Sequence, residues 1–295
     1  MFENFLELGK RKITPKTIVV AAAHDSHTLE AVYNASGKFH FNHILIGDRE
    51  KIISISSELG VSPDQDKIID EKDDAGCART AVDLITNRSG DVLMKGILET
   101  GTLLKAVLDK ESGIRGTGTL SHLAILEVPG YHKLIGITDG GMIPNPNFSQ
   151  KADIVRNAVT FFQGLGYEYP RIAALCASET VTGKMQETVD AQKLQVMCND
   201  GGFGDCLLEG PLSFDIAVSR DSASIKGFSS EISGDTDILL VPNISTGNIL
   251  AKGLIYWANA KMAGIVLGAT VPIILASRAA SPEEKLLSIM ISITG

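Results

Sequence analysis

TIVVAAAHDSHTLEAVYNAS, running from Thr17 to Ser36, is the stretch on which the fold turns. Thr17–Ala23 is an apolar run of β-branched and small residues, the composition of a strand buried on both faces. His24 and Asp25 close it, and either Asp25 or Ser26 can cap a helix predicted over Ser26–Ser36. A buried strand leading through a short polar turn into a helix is half of a βαβ unit.

The same rhythm continues outward. Strands are predicted at His43–Ile46, Lys67–Ile69, Asp91–Lys95, Arg171–Ala177, Asp237–Val241, Ala263–Leu267 and Pro272–Ala276. Helices are predicted at Ala75–Asn87, Thr102–Lys110, Lys151–Leu165, Met185–Leu194 and Thr246–Lys261. Such alternation implies mainly parallel sheets. It breaks at His122–Val128 and Lys133–Thr138, which read as a hairpin about Pro129-Gly130, and in the turn-rich loop from Asp139 to Pro146. A boundary is therefore expected near 136–140, with the last strand and helix returning to the first domain. That gives a discontinuous domain I (1–136 plus 271–295) and a domain II (137–270).

The 295 residues carry a net charge of −8, which argues against nucleic acid or an anionic membrane as the main partner. The most apolar region, 263–276, is interrupted by Gly264, Gly268 and Pro272 and reads as strands, not a membrane span. The N-terminal stretch MFENFLELGKRK has its basic residues after its apolar ones, the reverse of an export signal. Four cysteines without metal-knuckle spacing fit a reducing compartment, so a cytoplasmic protein is expected.

Several motifs fail on inspection. Val181-Thr182-Gly183-Lys184 lacks the upstream glycine and the following hydroxyl of a phosphate-binding loop. Gly113-Ile114-Arg115-Gly116-Thr117-Gly118 leads into a strand, unlike a dinucleotide loop. No GxSxG elbow occurs, so Ser277 is not read as a hydrolase nucleophile. His24 and His27 have metal-ligand spacing but no third partner, and no metal site is expected.

The segment from Val271 to Lys285 is the best candidate for chemistry. A buried strand ends in Ser277-Arg278, followed by Ser281-Pro282-Glu283-Glu284-Lys285 at the start of a short helix. Ligands of parallel sheets bind beyond the carboxyl ends of strands, where helix N-termini present free amides. An arginine there offers a fork for phosphate oxygens, and a serine offers a hydroxyl. Ser281 and Glu284 also spell a capping box, so Glu284 is either a reacting carboxylate or a cap.

These residues carry a family resemblance. The chain resembles the phosphate acetyl/butyryltransferase family, and is most similar to its butyryl branch. The landmarks include Ala21-Ala22-Ala23-His24-Asp25, Met94-Lys95-Gly96, Leu120-Ser121-His122, Ile137-Thr138-Asp139-Gly140, Glu209-Gly210-Pro211-Leu212, Lys226-Gly227, Gly247-Asn248 and Ser277-Arg278. The resemblance implies exchange of acyl-CoA and phosphate with acyl phosphate and CoA. Phosphate acetyltransferase is the nearest alternative; a hydroxy-acid dehydrogenase or a non-catalytic two-lobed binding protein is more remote.

The resemblance further implies two α/β domains with mainly parallel sheets and an interdomain cleft (isopropylmalate dehydrogenase-like), and a homodimer or higher homo-oligomer. Coenzyme A is then a co-substrate and no cofactor is permanently bound. Ser277 and Arg278 act at the acyl phosphate, and Glu284 or its neighbour Glu283 is the base. His24, Lys95, Lys105, Asp139, Gly247 and Asn248 fall at substrate-binding positions. Lys105 stands where the family has an arginine, which keeps the charge and loses the fork.

Overall fold

The computed structural model describes residues 2, 15–116, 118–275 and 281–295, which form two compact units. One consists of 2–118 and 263–294, the other of 119–262 with Gly295.

The first unit opens with β1 (Thr17–Ala21), α1 (Ser26–Ser36), β2 (Asn42–Gly47), α2 (Arg49–Glu58), β3 (Ile68–Asp70), α3 (Asp74–Thr86), β4 (Val92–Lys95) and α4 (Thr100–Val107). An aspartate starts each of the first three helices. Asp25, Asp48 and Asp73 accept hydrogen bonds from the amides of Thr28, Lys51 and Gly76. Asp25, rather than Ser26, is thus the cap of α1.

The second unit holds β5 (Ser121–Glu127), β6 (Ile135–Thr138), α5 (Phe148–Gly164), β7 (Arg171–Leu175), α6 (Gln186–Asn199), β8 (Leu207–Leu212), α7 (Phe214–Val218), α8 (Arg220–Ile225), β9 (Ile238–Leu240) and α9 (Ile244–Ala258). The chain then returns to the first unit with the rest of β10 (Lys261–Leu267), β11 (Ile273–Ile274) and α10 (Pro282–Thr294).

Within the first unit the strand order is β3-β2-β1-β4-β11-β10. All pairings in it are parallel except β10 with β11. The strand centres are fully buried: Ile18, Val19, Val20, Leu93 and Met94 have no exposed surface. Helix α10 packs on α1.

The order in the second unit is β5-β6-β9-β7-β8, with β5 and β6 antiparallel and the rest parallel. Its core joins Leu126, Ile135 and Ile137 of the hairpin to Ala173, Leu239, Ile216 and Ile232. That shared core explains why the hairpin belongs with 119–262, whereas the sequence placed the break after it. Strand β8 is absent from the predicted set. Its Gly210-Pro211 step removes a backbone donor, which is tolerated because β8 pairs on one side, with β7.

Beyond the predicted elements, an ionic knot ties the start of β9 to β6 and β7. Lys133 Nζ lies 2.8 Å from Asp235 Oδ1 and 2.6 Å from Asp237 Oδ1. Asp235 also meets Arg171 and His132. Asp237 is buried, and its other oxygen accepts the Arg171 amide. Removing the cation would strand a buried charge, so Lys133→Met is expected to cost about 3–5 kcal/mol. A urea midpoint close to that of the unaltered chain would show that Asp237 does not need its partner.

Candidate functional site

Three of the residues singled out by the sequence, His24, Lys95 and Asp139, fall at the carboxyl ends of strands. In the first unit, the register pairs Ala21 of β1 with Lys95 of β4, and Met94 of β4 with Ile274 of β11. Three parallel strands therefore end side by side. One leads to His24, one ends on Lys95, and the third leads to Ser277 and Arg278, which lie outside the described residues.

Close backbone packing fixes these exits. The amides of Gly96 and Ile97 donate to the carbonyls of Ala21 and Ala22 at 2.8 and 3.0 Å. A Cβ on Gly96 would lie 2.1 Å from Ala22 O, so only glycine fits. His24 is half-buried, and its Nδ1 accepts a 3.3 Å hydrogen bond from the Asp48 amide. The ring occupies space that a Cβ on Gly47 would take, 2.5 Å from Nδ1.

Lys95 is buried. Its Nζ donates to the carbonyls of Gly96 and Leu98 at 2.9 and 3.0 Å, which orders the loop beyond β4. Lys105 stands exposed in the last turn of α4.

The two glutamates differ in environment. Glu283 is exposed, whereas Glu284 is half-buried. Desolvation raises the Glu284 carboxyl above the usual carboxylate range, and Lys285 offsets part of that rise. The Glu284 amide donates to Ser281 Oγ at 3.1 Å, so the serine caps the helix with its own hydroxyl.

In the second unit, β6 and β9 also end together, with Thr138 paired to Leu240. This brings Asp139 beside the first turn of α9. Gly140 and Gly247 touch: a Cβ on Gly247 would lie 2.8 Å from Gly140 Cα. Asn248 Nδ2 reaches Gly140 O at 3.4 Å. The structure thus unites Asp139, Gly247 and Asn248, which the sequence separates by more than a hundred positions.

The buried Asp139 carboxylate accepts the amides of Gly141, Met142 and Ile143 at 2.8 to 3.0 Å. Both oxygens shape the loop. His122 faces the same turn. Burial lowers its pKa, the Asp139 charge opposes that, and its Nδ1 has no hydrogen-bond partner.

The 139–147 loop runs into α5, whose cap Asn147 forms a capping box with Gln150. The starts of α5, α6 and α9, with the ends of β7 and β9, enclose a cavity of about 1050 Å³. Lys151 and Asp190 line it. Their buried ion pair measures 2.8 Å, and Gln186 Nε2 donates to the second carboxylate oxygen at 2.8 Å. Cys176 also faces the cavity, its thiol pushed up to about 12 by burial first and then by Glu187, too high to serve as a nucleophile.

Sequence reasoning missed these cavity residues. A lysine and an aspartate on separate helices carry no local sign that they meet. The Lys226 landmark proves to be a clasp. Its Nζ contacts Glu179 Oε1, Ser213 Oγ and Asp215 Oδ1 at 3.3, 3.1 and 3.0 Å, and Asp215 is lowered to about 2 mainly by the Lys226 hydrogen bond.

Among the described residues no group of three His, Cys, Asp or Glu side chains is placed to hold a metal ion. None of the described helices is long and apolar enough to cross a membrane.

The family model described as Phosphate acetyl/butaryl transferase matches residues 77–293. A phosphate butyryltransferase of Clostridium acetobutylicum is 38% identical over 277 residues, covering 94% of this chain and 92% of that one. A phosphate acetyltransferase of Thermotoga maritima is 37% identical over 98% of each chain. The crystal structure of a branched-chain phosphotransacylase from Enterococcus faecalis V583 superposes with a TM-score of 0.83 at 32% identity, covering 95% of this chain and 98% of that one.

The role of Asp139 is open to direct measurement. Asp139→Asn replaces one acceptor oxygen with a donor facing an amide, an expected loss of about 1–3 kcal/mol. Denaturant unfolding reads it, and unchanged stability would remove the carboxylate from the turn.

Proposed function

The chain belongs to the phosphate acetyl/butyryl transferase family, and from that premise we propose that it is a phosphate butyryltransferase. It interconverts acyl-CoA and phosphate with acyl phosphate and CoA. The observation that carries the reading is similarity along nearly the whole chain to a phosphate butyryltransferase. The finer fold label, isopropylmalate dehydrogenase-like, belongs to the same proposal.

In one direction a phosphate oxygen attacks the thioester carbonyl, the C–S bond breaks, and the departing sulfur takes a proton from a carboxylic acid. In the other, the carboxylate removes that proton as sulfur attacks the acyl phosphate and phosphate leaves. A free thiol of pKa about 8.5 is only a few per cent ionised at neutral pH, so such a base contributes about 10²–10⁴ in rate.

We assign the base to Glu284 rather than Glu283. Its half-buried position and raised pKa support a group able both to give and to take a proton. Arg278 pairs with phosphate oxygens, and Ser277 donates to the oxygen that gains charge. His24 and Lys95 form the platform from which these groups work. The reaction runs in the cytoplasm, and the exposed Tyr256 and Trp257 of α9 support a homodimer or higher homo-oligomer.

Two measurements test the reading. CoA release from acyl-CoA should require phosphate and proceed with a higher kcat/KM on butyryl-CoA than on acetyl-CoA. The opposite order makes the chain a phosphate acetyltransferase, and release without phosphate ends the proposal.

Glu284→Gln should cut kcat at least about 100-fold and abolish the acid limb of the pH profile, which arises because only the ionised group is a base and lies above the usual carboxylate range because burial raises this carboxyl. Folding, conversely, binds this proton more tightly, so the stability linked to it is present at low pH and is lost as pH rises through the folded pKa. The neutral glutamine should therefore leave the fold at least as stable at pH 7. A less stable but active variant makes Glu284 a helix cap alone.

A further inference from the structure

We infer that Cys198 and Cys206 form a thiol–disulfide site, where two-electron oxidation by a small disulfide staples the end of α6 to the start of β8. Cys198 lies in the last turn of α6, and Cys206 directly precedes β8. Their sulfurs are 3.6 Å apart, and Cys198 Sγ also donates to Cys206 O at 3.5 Å. A disulfide bond measures about 2 Å, so closure asks the two sulfurs to approach by about 1.6 Å.

The residues between them hold the sulfurs in place. The amides of Gly201 and Gly202 donate to Cys198 O and Met197 O, each at 2.9 Å, and turn the chain back on the helix end. Gly201 and Gly204 have φ of 79° and 75°, the left-handed region that favours glycine. Helix α5 fastens the turn from outside: Gln163 Nε2 donates to Asp205 O at 3.0 Å, and the Arg156 guanidinium lies 5.5 Å from the centre of the Phe203 ring. Packing alone asks for a small apolar side chain at each position, not for two sulfurs in contact. Cys77, by contrast, gives its thiol to Glu71 O at 3.4 Å.

The chemistry is thiol–disulfide exchange with a small disulfide such as oxidised glutathione. One protein thiol loses its proton to water and attacks a glutathione sulfur; the departing glutathione thiolate takes up a proton. The second protein thiolate then displaces the bound glutathione, and the S–S bond between Cys198 and Cys206 forms. Two protein thiols are oxidised, and one glutathione disulfide is reduced to two thiols.

Burial sets the pace. Cys198 is 7% exposed and Cys206 4%, and the Cys206 thiol is pushed up to about 12, first by burial and then by Cys198. The thiolate is the attacking species, so exchange is slow and passes through local opening of residues 199–205. A reducing pool leaves the pair as thiols, and an oxidised pool converts it. Gln186, at the other end of α6, stands about 18 Å along the helix from Cys198. What the bond changes is the joint between α6 and β8, and with it the stability of the second unit.

The test equilibrates the full chain, folded and in urea, with mixtures of reduced and oxidised glutathione, approached from both the reduced and the oxidised chain. Acid quenching, alkylation and tryptic digestion follow. Residues 194–220 form one tryptic fragment that carries both cysteines. From the folded chain it should emerge unalkylated and lighter by two hydrogen atoms, while the fragments holding Cys77 and Cys176 are alkylated. The pair should close against glutathione at least about tenfold more readily in the folded chain than in urea, because a disulfide that fits the fold stabilises it. The urea midpoint of the oxidised chain should accordingly rise, and dithiothreitol should reverse the rise.

Cys198→Ala and Cys206→Ala should each abolish that rise; a rise that persists in either variant would assign it to other groups and overturn the inference. So would a glutathione adduct retained on one cysteine, a fragment alkylated twice after equilibration with oxidised glutathione, or a pair that closes no more readily folded than in urea.

Discussion

Parallel pairing is the constraint from which the rest of the molecule follows. A parallel strand cannot turn straight back, so the return between parallel neighbours needs a crossover, and parallel strands deliver their carboxyl ends to the same edge. The polar residues at strand exits therefore collect without any contact between them in sequence. In the first unit that edge gathers the exits of β1, β4 and β11. In the second it gathers those of β6, β9 and β7. Helix N-termini point their amides into both places, which suits carbonyl and anionic ligands before any side chain is chosen.

The exits then need backbones that can approach one another. Gly96 against Ala22 and Gly140 against Gly247 meet that need by omission of a side chain. Charges do complementary work at a distance from the strand exits. The Lys133–Asp237 pair fastens the amino ends of the second sheet, and Lys151–Asp190 fastens two helices above its carboxyl ends. Lys151, Asp190 and Asp237 are buried and Lys133 is half-buried, so loss of one partner is more damaging than replacement of both.

Strand β1, its capped helix and the alternation beyond it were legible because buried parallel strands read as unbroken apolar runs. Strand β8 was not, since Gly210-Pro211 looks like a loop until its edge position is known. The Val271–Lys285 segment was read as a candidate site from local pattern alone, and its Ser277 and Arg278 lie outside the described residues. That Glu284 is half-buried and Glu283 exposed was not legible, because burial there depends on how α10 packs on α1. Asp139 stood out in the sequence, but only coordinates reveal that three amides of its own loop claim its oxygens. The cavity was invisible, its residues being scattered over four helices and two strand ends.

The placement of β11 also bears on how the chain is made. In the first sheet it lies directly against β4, a fully buried strand that has β1 on its other side. During synthesis β4 emerges from the ribosome well before residues 263–274 exist to cover it. Until then its outer edge is an apolar row of unpaired amides and carbonyls, the kind of surface that recruits other chains. Residues 119–262 form a continuous compact unit and can complete their own core in that interval, since domains fold as units during translation. The nascent chain is therefore most prone to aggregate between the appearance of β4 and the docking of β11, a window whose length is set by the insertion itself.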